Sequence, residues 1–111
     1  MEVKKVHNNK GKCMNGVLQI NPKLFRDSRG FFQESWNKRI FNQVLLKNGQ
    51  NEALFVQDNH SKSSKGTLRG LHYQKDPYSQ GKLVRCINGE IFDVAVDLRL
   101  HSKTFLSYIF I

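Results

Sequence analysis

The strongest structural signal lies in residues 81–98, which read GKLVRCINGEIFDVAVDL. Two β-rich runs flank the dipeptide Asn88-Gly89, which favours a type I′ turn because both of its residues accept positive φ. In the hairpin that this pattern predicts, Lys82 and Asp93 are diagonal neighbours on one face. Apolar residues share that face, so the charged pair is either a structural ion pair or part of a site.

Two further strands are predicted upstream, at residues 53–57 (ALFVQ) and 67–74 (TLRGLHYQ). The second carries Arg69 and His72, and a strand rarely holds a guanidinium and an imidazole without a ligand to receive them. These two residues are three apart, so an ideal strand aims them at opposite faces. Gly70 between them is a candidate bulge that turns one of them back.

The N-terminal half predicts a mixture of strands and one helix. Apolar residues at positions 36, 40, 41, 44 and 45 follow a helical period, and Asn48-Gly49 provides a C-terminal stop. The other predicted elements are a strand at 17–20 that ends before Pro22, a turn at 25–30 and a strand at 31–35. The whole pattern predicts one domain over residues 1–111, an all-β sandwich or barrel with a peripheral helix.

Charge is unbalanced, with 18 Lys and Arg residues against 9 Asp and Glu residues, a formal net charge of +9. Such a balance favours an anionic partner, and because no nucleic-acid motif appears, a phosphate-bearing small ligand is at least as good a candidate as nucleic acid. Cys13 and Cys86 are too few for a disulfide framework or a zinc spacing, which favours reduced thiols in a cytoplasmic protein. No apolar run is long enough to predict a membrane span.

Four motifs occur in order along the chain and together resemble the dTDP-4-dehydrorhamnose 3,5-epimerase family. They are DSRGFFQE at 27–34, FVQDNHS at 55–61, LRGLHYQ at 68–74, and the run from QGKLVRC at 80–86 through FDVAVDLR at 92–99. The resemblance spans roughly residues 17–105. It implies a cupin-type jelly roll, a homodimer that exchanges N-terminal strands, and a role in nucleotide-sugar biosynthesis without a metal or organic cofactor.

The same resemblance implies roles for individual residues. His72 is expected to remove the protons at C3 and C5 of the sugar, and an imidazole titrates near working pH as a base should. Lys82 is expected to stabilise the enolate at the C4 oxygen, and Asp93 to orient one of these two groups. The residues expected to hold the deoxythymidine diphosphate part are Arg29 and Glu34 from the partner subunit, with Gln57, Asn59 and Arg69.

Two negative expectations accompany this assignment. Many cupins bind a metal through paired histidines, but Gly70 and Gln74 flank the lone His72, so no catalytic metal is predicted. Beyond Phe105 the family continues through strands that carry a proton-donating tyrosine, and Tyr108 does not lie in that motif. The resemblance therefore predicts an N-terminal portion of an epimerase, incomplete at its C-terminal end, poorly soluble or associated, and with no more than trace activity.

Two other functions stay open on the sequence alone. A non-catalytic nucleotide-sugar binding module requires the diphosphate-holding residues but not the acid. A basic nucleic-acid-binding β protein accounts for the charge but not for the ordered motifs. The resemblance favours a dTDP-sugar as the partner, with no nucleic acid and no membrane.

Overall fold

The computed structural model describes all 111 residues, and its regular elements are six strands and one helix. The elements in chain order are β1 (Glu2–His7), β2 (Cys13–Asn21), β3 (Leu24–Asp27), β4 (Gly30–Gln33), α1 (Lys38–Lys47), β5 (Val94–Val96) and β6 (Tyr108–Phe110). The strands form three antiparallel pairs, β1 with β2, β3 with β4, and β5 with β6. One compact unit contains residues 1–52 and 86–111, and a second contains residues 53–85.

The β1–β2 pair is an N-terminal hairpin whose first strand the sequence did not predict. Half-buried Val3 and Val6 are three apart among charged residues, so they show no strand alternation. The register shifts between Lys5 and His7, and a bulge at this place lets both valines be shielded. In the connecting loop, the side chain of Asn8 accepts hydrogen bonds from the backbone N–H groups of Lys10 and Lys12, at 3.0 and 2.9 Å.

This loop also contacts the last strand of the chain. The Asn8 amide donates to the Ser107 hydroxyl at 2.8 Å across 99 positions of sequence. The backbone N–H of Asn9 donates to the carbonyl of Tyr108 at 2.9 Å. The N-terminal hairpin and the end of the described chain are therefore joined by direct hydrogen bonds.

The β3–β4 pair confirms a turn before Gly30 and the strand that follows it, but residues 25–27, predicted as part of the turn, belong to β3. Asp27 pairs with Gly30 across the two-residue turn of Ser28 and Arg29. The Asp27 carboxylate accepts from the backbone N–H of Arg29 at 2.9 Å, as expected of an aspartate that closes a turn. Gly30 has φ of 139°, which favours glycine at the turn exit.

Helix α1 confirms the predicted helix and its stop, although it begins two residues later than the apolar pattern. Asn37 caps its N-terminus by accepting from the N–H of Ile40 at 3.1 Å. Gly49 has φ of 73° and donates to Leu46, while Gln50 donates to Leu45, both at 3.0 Å. These two bonds form a Schellman motif, which requires the left-handed conformation that glycine adopts easily.

The predicted hairpin at residues 81–98 is wrong, because residues 81–87 form no strand. Strand β5 pairs instead with β6, in a register that sets Ala95 opposite Ile109. Ile109 is only 4% exposed, so this pairing buries an apolar side chain. A hairpin closed at Asn88-Gly89 would have paired β5 with a segment that carries Lys82, and burial outweighs the local turn preference.

The strands predicted at residues 53–57 and 67–74 are also absent, and no closed barrel is formed. Val56 and Leu68 are 86% and 90% exposed, so these segments lack the neighbouring strand and the covered face that a stable strand needs. The observed class is therefore mostly β with one helix, which confirms the coarse prediction only.

The buried apolar core is small and belongs to the unit of residues 1–52 and 86–111. Its most buried side chains are Met14, Phe41, Leu45 and Ile109. The one helix is ten residues long, and the structure contains no helix with the length and apolarity needed to cross a membrane.

Candidate functional site

His72 and Lys82, the two candidate catalytic residues, both lie in the unit of residues 53–85. Both are exposed, and neither side chain makes a hydrogen bond or an ion pair. An imidazole without a hydrogen-bond partner is available to accept a proton, and an ammonium without a carboxylate is available to an oxyanion. The structure therefore leaves both groups chemically available, in contact with water.

Gly70 lies directly beside His72. Its φ is 112°, and a Cβ added there would lie 3.4 Å from both the backbone nitrogen and Nδ1 of His72. Glycine therefore leaves room for the imidazole to lie close to the backbone two residues earlier. The strand bulge expected here is absent because residues 67–74 form no strand.

Arg69 is held in place by neighbours in its own segment. Its Nε donates to the Ser63 hydroxyl at 2.8 Å, and one terminal nitrogen donates to the Lys62 carbonyl at 3.4 Å. No carboxylate neutralises it, so its charge and its remaining N–H groups can be directed at an anion.

Gln57 and Asn59 are brought together by the structure. The Gln57 amide donates to the Asn59 side-chain oxygen at 3.2 Å, and both residues are exposed. Each amide keeps unused donors and acceptors, which suits them to bind a polar ligand.

The candidates in the other unit are engaged differently. Arg29 forms an ion pair with Asp27, in which Nε and Nη2 both donate to Oδ2, at 3.2 and 2.6 Å. Hydrogen bonds from the Arg29 side chain and backbone hold the pKa of the Asp27 carboxyl below its usual value. The Glu34 carboxylate accepts from the Asn37 amide at 3.2 Å, so it supports the start of α1.

Asp93 is half-buried at the entrance to β5, where its backbone exchanges two hydrogen bonds with Ile111, at 2.9 and 3.0 Å. The predicted neighbour relation between Asp93 and Lys82 depended on a hairpin that does not form. The structure therefore gives no geometric support for a contact between Asp93 and Lys82.

The most elaborate polar cluster surrounds Asp97, a residue to which the sequence analysis gave no role. The Asp97 side chain is 1% exposed and forms an ion pair with Arg99 at 2.8 Å. It also accepts from the hydroxyls of Ser102 and Thr104, at 2.6 and 2.7 Å. These donors, Arg99 first, hold the pKa of Asp97 far below its usual value although burial opposes the charge. The spacing Asp-x-Arg-x-x-Ser-x-Thr was the available signal.

No group of three or more His, Cys, Asp or Glu side chains is arranged to hold a metal ion. Cys13 and Cys86 are both free thiols.

The sequence profile described as dTDP-4-dehydrorhamnose 3,5-epimerase matches residues 12–111. A protein of that name from Shigella flexneri is 60% identical over 89 residues, which cover 80% of this chain and 47% of the relative. The corresponding protein of Salmonella typhimurium is 55% identical over 89 residues, which cover 80% of this chain and 46% of the relative. That of Methanothermobacter thermautotrophicus is 52% identical over 92 residues, which cover 83% and 46%.

These matches define a sugar-nucleotide isomerase class. The chain belongs to the dTDP-4-dehydrorhamnose 3,5-epimerase family. It spans about half the length of the curated relatives that it matches.

Proposed function

We propose that the chain acts in the epimerisation at C3 and C5 of dTDP-4-dehydro-6-deoxyglucose, which yields dTDP-4-dehydrorhamnose. The observation that carries the proposal is the family match over residues 12–111, which includes the motifs around His72 and Lys82. Inversion next to a ketone needs a base to remove a proton and a cation to hold the enolate oxygen. His72 is assigned the first role and Lys82 the second.

The reaction begins at a carbon beside the C4 ketone. His72 takes the proton, the electron pair moves into the enolate, and the Lys82 ammonium stabilises the negative oxygen at C4. Water then delivers a proton to the opposite face, and His72 releases the proton that it took to solvent, which neutralises the hydroxide formed. The same step repeats at the other carbon. On the family resemblance alone, Asp93 is assigned the orientation of one of these groups, since the hairpin that would have placed it near Lys82 does not form.

Exposure of both catalytic groups predicts a low rate. An ammonium stabilises an oxyanion strongly only where water is excluded, because water screens the charge and competes for its donors. With His72 and Lys82 in contact with solvent, we expect turnover well below about 1 per second, an ordinary enzyme rate.

Substrate holding is assigned to residues suited to a nucleotide diphosphate. Arg69 carries an unneutralised guanidinium, which can donate two parallel hydrogen bonds to phosphate oxygens. Gln57 and Asn59, in the same unit of residues 53–85, supply amides. Arg29 and Glu34 are assigned to the same ligand in a partner subunit. The wider proposal is a homodimer with strand exchange and a cupin-type jelly roll, located in the cytoplasm.

The test is solvent deuterium exchange into the substrate. The chain is incubated at high concentration with the nucleotide sugar in D₂O, and deuterium at C3 and C5 is followed by NMR over hours. We expect slow exchange at both carbons, lost in His72→Asn and kept in His60→Asn, a matched change at another exposed histidine of the same unit. Exchange that persists at either carbon in His72→Asn removes His72 as the sole base.

Lys82→Met tests the enolate assignment, with Lys75→Met as the matched control. We expect the loss of Lys82 to raise the barrier to exchange by less than the about 2–4 kcal/mol that oxyanion stabilisers contribute in water-excluded sites, because Lys82 is exposed. The change in ligand binding should be smaller still. If dTDP binding weakens as much as the exchange rate falls, Lys82 holds the ligand instead of stabilising the enolate.

A second candidate is a nucleotide-sugar binding module without catalysis, favoured by the fixed and unneutralised Arg69. It predicts dTDP binding without deuterium exchange. Titrations of dTDP and of single-stranded DNA over a salt series separate both readings from a nucleic-acid-binding function. Contacts to a phosphate polymer give a steep salt dependence, whereas a single diphosphate gives a shallow one.

A further inference from the structure

A concave basic surface lies outside the proposed epimerase residues, between the start of β2 and the loop that connects β5 to β6. We call it the basic cleft. Its volume is about 630 Å³, within the usual range of small-ligand sites. It is lined by Lys12, Cys13, Asn15, Arg99, Leu100, His101, Ser102, Lys103 and Thr104.

Arg99 is the fixed element of the basic cleft. Its Nε and one terminal nitrogen each donate to the Asp97 carboxylate at 2.8 Å. Its other terminal nitrogen, Nη1, lies 3.3 Å from where a Cβ on Gly16 would be. The guanidinium is thus held against the β2 backbone, and its unused N–H groups are already oriented for a ligand.

The cleft lining contains cations but no acid. Lys12 and Lys103 are exposed and have no carboxylate partner. The nearby Asp97 does not line the cleft, and its oxygens are occupied by Arg99, Ser102 and Thr104. Asp97 offsets the charge of Arg99, so the net positive charge of the basic cleft comes from Lys12 and Lys103. A concave surface concentrates that charge on a small anion more strongly than a flat surface does.

We propose that the basic cleft binds a phosphate-bearing small anion, at a site formed by residues other than those assigned to catalysis. Asp97 occupies Nε and one N–H of Nη2 of Arg99, which leaves Nη1 and the second N–H of Nη2 to donate in a fixed direction. The two mobile ammonium groups of Lys12 and Lys103 supply the charge that a phosphate or diphosphate needs. The Asn15 amide adds a further polar group at the cleft wall. The cleft also gives a function to part of the +9 charge that the epimerase assignment leaves unexplained.

Cys13 supplies a reporter for the test, because it lines the cleft, whereas Cys86 does not. The two thiols are alkylated with the neutral reagent iodoacetamide in the presence of increasing pyrophosphate, with sodium chloride adjusted to hold ionic strength constant. Mass spectrometry of the two peptides gives the ratio of alkylation rates within one sample. We expect bound pyrophosphate to slow Cys13 severalfold and to leave Cys86 unchanged.

Matched lysine variants separate a site from general attraction. The double variant Lys12→Gln/Lys103→Gln should weaken pyrophosphate protection of Cys13 by about tenfold, because it removes both mobile cations of the cleft. The double variant Lys38→Gln/Lys47→Gln removes the same net charge from α1 and should leave protection nearly unchanged. Equal weakening by the two variants, or no protection of Cys13 at any pyrophosphate concentration, overturns the proposal.

Two further arms identify the ligand and separate the sites. Protection by both pyrophosphate and dTDP assigns the cleft to the diphosphate group of a nucleotide, and protection by pyrophosphate alone assigns it to an inorganic anion. Protection must also survive Arg69→Gln, a change in the proposed substrate-holding set. If Arg69→Gln abolishes the pyrophosphate effect on Cys13, the anion binds elsewhere and the basic cleft is not its site.

Discussion

Replacement of Asp97 by Asn tests whether the buried carboxylate stabilises the fold of residues 1–52 and 86–111. Oδ2 of Asp97 accepts three hydrogen bonds, from Arg99, Ser102 and Thr104, at 2.8, 2.6 and 2.7 Å. Oδ1 accepts from the backbone N–H and from Nε of Arg99, at 3.1 and 2.8 Å. Every neighbour of the carboxylate is therefore able to donate, and both oxygens are needed as acceptors.

Asparagine has nearly the same shape but cannot satisfy this arrangement in either orientation. With its NH₂ group at the Oδ2 position, it faces the terminal N–H of Arg99. With the NH₂ group at the Oδ1 position, it faces the backbone N–H and Nε of the same residue. With the NH₂ group at the Oδ2 position, the hydroxyls of Ser102 and Thr104 can rotate and accept from it. In both orientations, however, the NH₂ group faces an N–H group of Arg99 at a position that water does not reach.

The magnitude follows from these contacts. A hydrogen bond to a charged group contributes about 1.5–3 kcal/mol when lost, and the two hydroxyl bonds are partly recovered by rotation. Arg99 is 56% exposed, so solvent screens its share. We expect Asp97→Asn to lower the free energy of unfolding by about 2–3 kcal/mol, because either orientation of the amide replaces a buried acceptor oxygen with a donor that faces another donor.

The assay is urea denaturation followed by the fluorescence of Trp36, the single tryptophan, which lies in the same unit. With a urea dependence of about 1–3 kcal/mol per M, the midpoint should fall by roughly 1–2 M. Asp27→Asn is the matched control, because Asp27 also pairs with the arginine two positions later, although in an exposed turn and through one oxygen. Equal midpoints for the two variants would show that burial adds nothing to this ion pair and would refute the argument.

Four further outcomes are expected. Because folding lowers the pKa of Asp97, its carboxylate contributes fully to the free energy of unfolding above the ordinary value of 3.8, and this contribution is lost as pH falls below it. The difference in the free energy of unfolding between the unchanged chain and Asp97→Asn should therefore be smaller at pH 3 than at pH 7. Asn37→Ala should cost about 1 kcal/mol by removing the N-cap of α1, with Ser35→Ala as an inert control in the same urea assay. Gly49→Ala should cost about 1 kcal/mol or more because its φ is 73°, and equal stability of the two proteins would contradict the Schellman assignment. Since large apolar side chains such as Leu68 are almost fully exposed, the chain should associate in analytical ultracentrifugation, and Leu68→Lys should reduce association.

Local signals predicted the parts of the fold that local interactions determine. The turn before Gly30 and the helix stop at Gly49 were correct because each depends on a few adjacent residues and on positive φ. The hairpin at Asn88-Gly89 failed although its turn signal was as strong. Strand pairing is decided by what a strand can bury against, and the sequence of residues 81–98 does not show that β6 competes for β5.

The candidate site divides in the same way. His72 and Lys82 could be chosen because motif order along the chain carries family information, which needs no geometry. The cluster around Asp97 could not be assigned, since its energy depends on burial and on donors up to seven positions away. The basic cleft could not be predicted either, because it forms where the loop between β5 and β6 lies near the start of β2. Only the structure shows that Arg99 and Lys12 line one surface.

The hydrogen bonds of Asn8 and Asn9 to Ser107 and Tyr108 carry a consequence for folding kinetics and for evolution. These bonds join residues about 99 positions apart, so nearly the whole chain must be ordered into one loop before the unit of residues 1–52 and 86–111 is complete. That unit is therefore expected to fold slowly for its size. Residues 53–85 form an insertion in the sequence of that unit, between Glu52 and Cys86. Since doubling the length of such a segment adds only about 0.6 kcal/mol of closure entropy, insertions and deletions there are thermodynamically cheap. The stretch that carries His72 and Lys82 is thus free to change length while the remainder keeps its connections.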